Sequence, residues 1–220
     1  MNFQADQIPT ELMLFANCLA LVLLIWRGSR VNWGELSQSH LTGWLGATTL
    51  LAVLWQVTAG IRPGLSFHLL GASALTLIAG RDKALIGFAA ILAVQAANGK
   101  ADWAALGLNW LTQVLPAVCG AGWLLRWSER RLPANYFVYF FVNGFFGAAL
   151  CFCVAVLVSL ATHAVLGSYS VTYLLEEVLP YYLLFAWSEA FSTGLVLAPL
   201  VMFRPQWVET FDDRRYLHDA

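Results

Sequence analysis

The amino-acid sequence predicts an all-α fold: a polytopic membrane bundle of about seven transmembrane helices, with the N-terminus outside the cytoplasm and the C-terminus inside. Of the 220 residues, 60% are hydrophobic and 11% are charged, whereas a soluble domain carries roughly 25% charged residues. The apolar residues fall into separate runs, and the cations collect in alternate loops. A chain so poor in charge suits a lipid-facing surface and leaves no length for a sizeable soluble domain.

The predicted spans cover residues 11–26, 41–58, 66–80, 84–98, 104–125, 136–166 and 173–203. Together they make residues 1–205 a single transmembrane domain, followed by a short cytoplasmic tail over 206–220. The third and fourth runs have 15 residues each, fewer than the roughly 20 that a span needs. They form either two full spans or a re-entrant hairpin over 66–98. A hairpin would bury Arg81 and Lys83 in the bilayer, which is costly, so two spans are favoured.

Charge placement tests this layout. Ten of the twelve Lys and Arg residues lie in loops that follow odd-numbered spans or in the tail. Basic residues favour cytoplasmic loops, so the pattern indicates an odd number of crossings and an integral, multi-pass protein of the inner (cytoplasmic) membrane. Arg62 and Lys100 lie in the opposite loops. The net charge of −1 gives no reason to expect a nucleic-acid partner, whereas the composition makes membrane lipid an expected one.

Four side chains in or beside the spans are candidates for binding a substrate. His68 opens the third span and His163 lies near the outer end of the sixth; both are candidate metal ligands because imidazole is the commonest one. Glu189 lies deep in the last apolar run, where an unpaired carboxylate is costly, so it either serves transport or locks the seventh helix by a hydrogen bond. Asn109 is one of several buried amides, a class that usually holds membrane helices together.

Sequence patterns for catalysis are missing. The chain has no Walker A, GxGxxG, GxSxG or HExxH pattern, and its four cysteines form no CxxC pair of the kind that binds structural zinc. An enzyme is therefore not expected, and any energy from ATP has to come from another subunit. Ala16 and Ala20 form a small-xxx-small pattern, which is a candidate docking face for another membrane protein.

Short motifs between residues 60 and 210 resemble a known transporter family. In chain order they are Ser-x-His-Leu at His68, Gly80 with the run from Ala84 to Gln95, Leu-Gly-x-Asn ending at Asn109, Leu115-Pro116-Ala117, and Glu189 to Gly194 followed by Arg204-Pro205. The set is similar to the CbiM/NikM family, the substrate-capture membrane proteins of energy-coupling-factor transporters for cobalt and nickel. This resemblance implies the same number of helices and the same outward N-terminus as the charge pattern.

The resemblance also implies a metal site, from which this chain departs. In the family, the histidine matched by His68 binds the metal together with the N-terminal amine and a histidine at position two. This chain begins Met1-Asn2-Phe3, so that chelate is not built in the same way. Because first-row divalent metals want about four ligands, His163 or Asp6 has to contribute, or the substrate is a metal chelate or a small organic molecule. No cofactor is certain; the resemblance implies bound cobalt or nickel.

The expected function is that of a substrate-binding membrane subunit in an energy-coupling-factor-like ABC uptake transporter. His68, Asn109 and Glu189 are the predicted substrate-binding residues, and His68 and His163 are the predicted metal ligands. A transmembrane coupling subunit and ATPase subunits are the expected protein partners, and a transition-metal ion, a metal chelate or another small molecule is the expected substrate. The alternative is a non-transporting interaction or assembly protein with the same fold, which the missing N-terminal histidine favours.

Overall fold

Helices make up most of the chain, which confirms the all-α class. The computed structural model describes residues 3–62, 65–212 and 214–218. The helices of eight or more residues in this part are α1 Thr10–Gly28, α2 Gln38–Leu54, α3 Ala72–Ala79, α4 Arg81–Ala97, α5 Trp103–Arg131, α6 Tyr136–Val165 and α7 Val171–Phe203. Two short antiparallel strands precede α3, β1 Ala59–Arg62 and β2 Leu65–Phe67. Shorter helical segments cover Ala5–Gln7, Trp33–Glu35, Pro205–Trp207 and Arg214–His218.

Four of these helices, α1, α5, α6 and α7, are long and apolar enough to cross a membrane. Helices α2 and α4 have 17 residues each, which corresponds to about 26 Å, slightly less than the roughly 30 Å thickness of the hydrocarbon core. One side of α1 is apolar and open: Phe15 and Ile25 are each 65% exposed. Such a surface suits contact with lipid tails.

The third predicted span, 66–80, is wrong as a continuous helix. Strand β2 and an irregular loop over 68–71 occupy its first half, and α3 has only 8 residues, or about 12 Å. Every residue of α3 is buried, because α2, α4, α5 and α6 pack around it. Irregular backbone at membrane depth is tolerated where protein encloses it. The enclosure therefore allows an apolar run to be interrupted in mid-bundle.

Ion pairs connect α4 to α1 and to the segment after α7 at one end of the bundle. Arg27 Nη1, in the last turn of α1, lies 3.3 Å from Asp82 Oδ1 in the first turn of α4. Lys83 Nζ lies 2.5 Å from Glu209 Oε2, which follows α7. The turn between α3 and α4 is therefore level with the ends of α1 and α7, and its cations do not lie at the middle of the bundle.

The segment after α7 packs back onto the same end of the bundle. Phe211 and Tyr216 are buried and pack against the ring of Tyr139 from α6. Thr210 Oγ1 donates to Leu77 O, 2.7 Å away near the end of α3. The predicted tail 206–220 is thus an ordered cover over α3 as far as it is described.

At the opposite end, α1 packs closely against the start of α5. Asn17 Nδ2 donates to Ala104 O at 2.7 Å, and Asn17 Oδ1 accepts from Gly107 N at 2.6 Å. Ala16 and Ala20 are 2% and 4% exposed, because this face of α1 lies on α5 and its neighbours. The expectation that these two alanines form a docking face for another protein is therefore wrong, since the chain's own helix covers them.

Gly107→Ala tests this contact. An added Cβ would lie 2.5 Å from Asn17 Cα and 2.6 Å from Asn17 N, so α1 and α5 must separate. We expect the free energy of unfolding to fall by about 1–3 kcal/mol, measured by thermal unfolding of the purified protein in detergent. Gly46→Ala on α2 is the matched control, because its Cβ meets nothing within 4 Å. Equal melting temperatures for the two variants would contradict the close packing.

Candidate metal-binding site

A small cavity lies between the β2–α3 loop and helices α5, α6 and α7. Its volume is about 20 Å³, room for about one water molecule. Its polar lining comes from Ser66, His68, Gln113, Ser159 and Tyr182, and the remaining lining is apolar. The cavity thus joins one imidazole with hydroxyl and amide groups in a mostly apolar surrounding.

Glu189 on α7 holds the loop that carries His68. Its carboxylate accepts hydrogen bonds from Leu70 N and, at 3.0 Å, from Gly71 N. These N–H groups precede the first turn of α3, where the helix dipole is positive and where backbone donors lack partners within the helix. Glu189 is 2% exposed, so its hydrogen bonds are shielded from water. Glu189 thus makes hydrogen bonds of the kind that the locking role requires, and its partner is the broken third segment.

Two aromatic side chains hold the same segment, and neither was expected from the sequence to contribute to the site. Tyr182 OH donates to Ser66 O at 3.0 Å, and Trp55 Nε1 donates to Leu70 O at 3.2 Å. Buried Tyr and Trp usually satisfy their polar atoms in this way. Nothing in the local sequence distinguishes them from the aromatic residues that occupy membrane interfaces, because the partner groups belong to a distant segment.

His68 itself is 5% exposed. Its ring lies on Trp55, with centroids 4.2 Å apart, and Nδ1 lies 3.5 Å from Leu69 O, at the limit of a hydrogen bond. Its Nε2 is buried without a hydrogen-bond partner among the described residues. A buried polar atom left unsatisfied calls for an explanation such as an ion or water. An imidazole nitrogen beside a cavity of this size can bind a metal ion.

Asn109 lies one helical turn from the cavity and binds the start of the chain. Its Oδ1 accepts from Phe3 N at 2.8 Å and from Gln113 Nε2 at 3.0 Å, and its Nδ2 donates to Phe3 O at 3.4 Å. Gln113 lines the cavity and Asn109 does not. The amide of Asn109 therefore connects Phe3 to the cavity wall through Gln113. Met1 and Asn2, where the family's chelate would begin, lie outside the described residues.

His163 is placed apart from the cavity lining. Its ring stacks on Phe3, with centroids 4.2 Å apart, and lies 5.7 Å from the ring of Tyr169. Ser159, one turn earlier on α6, lines the cavity instead. The part of the chain that the structure describes brings together no group of three or more His, Cys, Asp or Glu side chains suited to a metal. The two histidines thus share no such cluster there.

Comparison with known proteins gives the family. A family model described as CbiM, cobalt uptake substrate-specific transmembrane region, matches residues 2–207. The chain belongs to the CbiM family. This membership makes it an integral membrane component of metal uptake, as the resemblance implied, and supports a transporter component rather than an enzyme.

Solved structures share this fold. A truncated transition metal transporter superposes with a TM-score of 0.74 at 17% identity, covering 92% of this chain and 99% of that chain. A second transition metal transporter gives a TM-score of 0.72 at 17% identity, covering 92% of this chain and 93% of that chain. No curated protein matches the chain. At such low identity, the superpositions show only that this CbiM chain shares the fold of these transporters.

Glu189→Ala tests the cap on α3. The substitution leaves Leu70 N–H and Gly71 N–H buried without an acceptor, so the free energy of unfolding should fall by about 2 kcal/mol or more. Glu189→Gln keeps one acceptor oxygen and should lose less. Thermal unfolding in detergent measures both. Glu177→Ala, on the same helix but exposed, should change stability by less than about 0.5 kcal/mol, and a Glu189→Ala variant as stable as this control would refute the cap.

Proposed function

We propose that this CbiM chain is the substrate-binding subunit of an energy-coupling-factor-like uptake transporter, and that it captures a cobalt- or nickel-like ion at His68. The observation that carries the proposal is the buried Nε2 of His68, which has no hydrogen-bond partner among the described residues. It lies beside a small polar cavity in a member of a cobalt uptake family. Neutral imidazole suits divalent metals of this class.

The size of the cavity favours a bare ion over a metal chelate. A volume of about 20 Å³ admits about one water-sized sphere, whereas pockets for small organic molecules are typically hundreds of Å³. Gln113 and Ser159 offer neutral oxygen atoms on the lining. Oxygen ligands of this kind complement one imidazole for a divalent ion, and His163 remains a candidate for a further ligand.

The charge of such an ion requires compensation in an apolar bundle. In the proposal, Glu189 supplies the compensating negative charge. Its carboxylate hydrogen-bonds to Leu70 and Gly71, which follow His68 by two and three residues. Low effective dielectric strengthens attraction between a buried cation and a nearby anion. Glu189 therefore supports the site through the loop, and Asn109 supports it through Gln113.

The proposed topology has seven crossings, with the N-terminus outside and the C-terminus in the cytoplasm. The third crossing consists of β2, the loop and α3, rather than one long helix. The Arg27–Asp82 and Lys83–Glu209 pairs gather basic segments at one end, and the positive-inside rule assigns that end to the cytoplasm. His68 then lies toward the outer side, where an inner-membrane uptake protein receives its substrate.

Energy for release has to come from partners in this proposal. The sequence has no nucleotide-binding motif, so an ATPase pair and a transmembrane coupling subunit would drive the change of access. The rival function is a non-transporting assembly protein of the same fold. It is favoured by the lack of a three-residue His, Cys, Asp or Glu cluster among the described residues, and it predicts stable association with a membrane complex and no bound metal.

His68→Ala tests the proposed ligand. Purified wild-type protein should bind about one cobalt or nickel ion per chain, measured by elemental analysis and titration calorimetry. The Kd of the variant should rise by more than roughly 10–100-fold, which is the typical effect of removing a group that only supports a ligand. His40→Ala, at the start of α2, is the control and should bind as wild type. Unchanged binding by His68→Ala would exclude the site, and wild-type protein without affinity for either metal would favour the assembly function.

Reporter fusions test the topology. A phosphatase that is active only outside the cytoplasm should be active when fused in the loop at Lys100 and inactive when fused after Arg131 or at the C-terminus. A fluorescent protein that matures in the cytoplasm should give the reverse pattern. If the reporters placed Lys100 and Arg131 on the same side of the membrane, a crossing by α5 would be contradicted.

A further inference from the structure

We infer that Trp55 is a positioning residue for His68, and that Gln95 fixes Trp55 in place. The inference rests on the proposed function, because it concerns how the ligand of that site is oriented. Trp55 follows α2 directly and is fully buried, as is Gln95 on α4. Neither side chain lines the cavity, so both would act on the metal through His68.

Trp55 contacts the His68 loop at two points. Its ring lies on the His68 imidazole, with centroids 4.2 Å apart and planes tilted by 47°. Its Nε1–H donates to Leu70 O at 3.2 Å. One rigid indole therefore contacts both the ligand ring and the backbone two residues later. This arrangement restricts the rotation of the imidazole and the position of the loop that carries it.

His68 depends on this packing because its own hydrogen bond is weak. A metal-binding histidine usually donates its second ring nitrogen to a carboxylate or carbonyl, which fixes the ring. Here Nδ1 lies 3.5 Å from Leu69 O, where hydrogen bonds have little strength. The indole of Trp55 thus takes over part of the orienting role that a short hydrogen bond would have.

Gln95 fixes the position from which Trp55 acts. Its Nε2 donates to Trp55 O, a carbonyl at the C-terminal end of α2, where backbone acceptors lack partners within the helix. Buried carbonyls of this kind need an external donor. Gln95 therefore attaches the end of α2 to α4 at the residue that supports His68.

The contact also predicts an optical signal. Cobalt and nickel ions have partly filled d shells and quench a nearby indole, whereas zinc, with a filled d shell, does not quench in this way. A metal on His68 would lie close to Trp55. Tryptophan emission should therefore fall on addition of cobalt or nickel to the purified protein, and Trp55 should account for a distinct share of the loss.

Trp55→Phe tests the inference, with Trp110→Phe as the matched control. Trp110 is 2% exposed and its Nε1 donates to Leu85 O at 3.0 Å, so both substitutions remove a buried indole hydrogen bond. We expect Trp55→Phe to raise the Kd for nickel by roughly tenfold and to lose part of the quenching. Trp110→Phe should keep the Kd and the quenching. Circular dichroism checks that both variants are folded.

The outcomes separate the two proposals. If wild-type protein binds no nickel or cobalt, the proposed function fails and the inference fails with it. If wild-type protein binds metal and Trp55→Phe keeps both the Kd and the quenching, the positioning role alone is refuted. If Trp55→Phe does not fold, Gln95→Leu decides: it should raise the Kd by about threefold, and an unchanged Kd refutes the inference.

Discussion

One carboxylate determines how the middle of this chain can be built. Glu189 accepts hydrogen bonds from the two backbone N–H groups that precede α3. Without an acceptor there, a helix that begins in mid-bundle would leave its first donors unpaired at a cost in stability, because lipid offers no partner for them. The cap allows a short strand and a loop to occupy the first half of the apolar run 66–80. That loop carries His68, so the same interaction that permits the irregular backbone also positions the candidate ligand of the proposed site.

The candidate site is held rigidly, and its cavity is small. Tyr182, Trp55 and Glu189 each hold a backbone group of the segment from Ser66 to Gly71. Such a loop has little freedom to adapt its shape to a ligand, and the cavity beside it is small. Selectivity in a site of this kind comes from ligand type and geometry more than from raw affinity. In the proposed site, the supporting side chains are therefore as relevant as the lining itself.

Composition predicted the helical class and most helix positions, because the preference of lipid for apolar side chains acts on the sequence residue by residue. His68 and Glu189 stood out as polar groups in apolar runs. The interruption of the run 66–80 was missed, since its composition is as apolar as that of a helix. The contact of Trp55 with Leu70 was missed, since Leu70 has no distinguishing side chain. Asn109 was singled out as a candidate, but its partner Phe3 was not, because the two are 106 residues apart.

The separation of α3 from its cap also bears on biosynthesis. Gly71 and Glu189 are 118 residues apart, so the ribosome completes α4, α5 and α6 before the acceptor for α3 exists. During that interval an eight-residue helix is too short to remain in lipid as an independent span. The segment has to be retained by the insertion machinery or by neighbouring helices until α7 arrives. The arrival of α7 thus completes the hydrogen bonding at the start of α3.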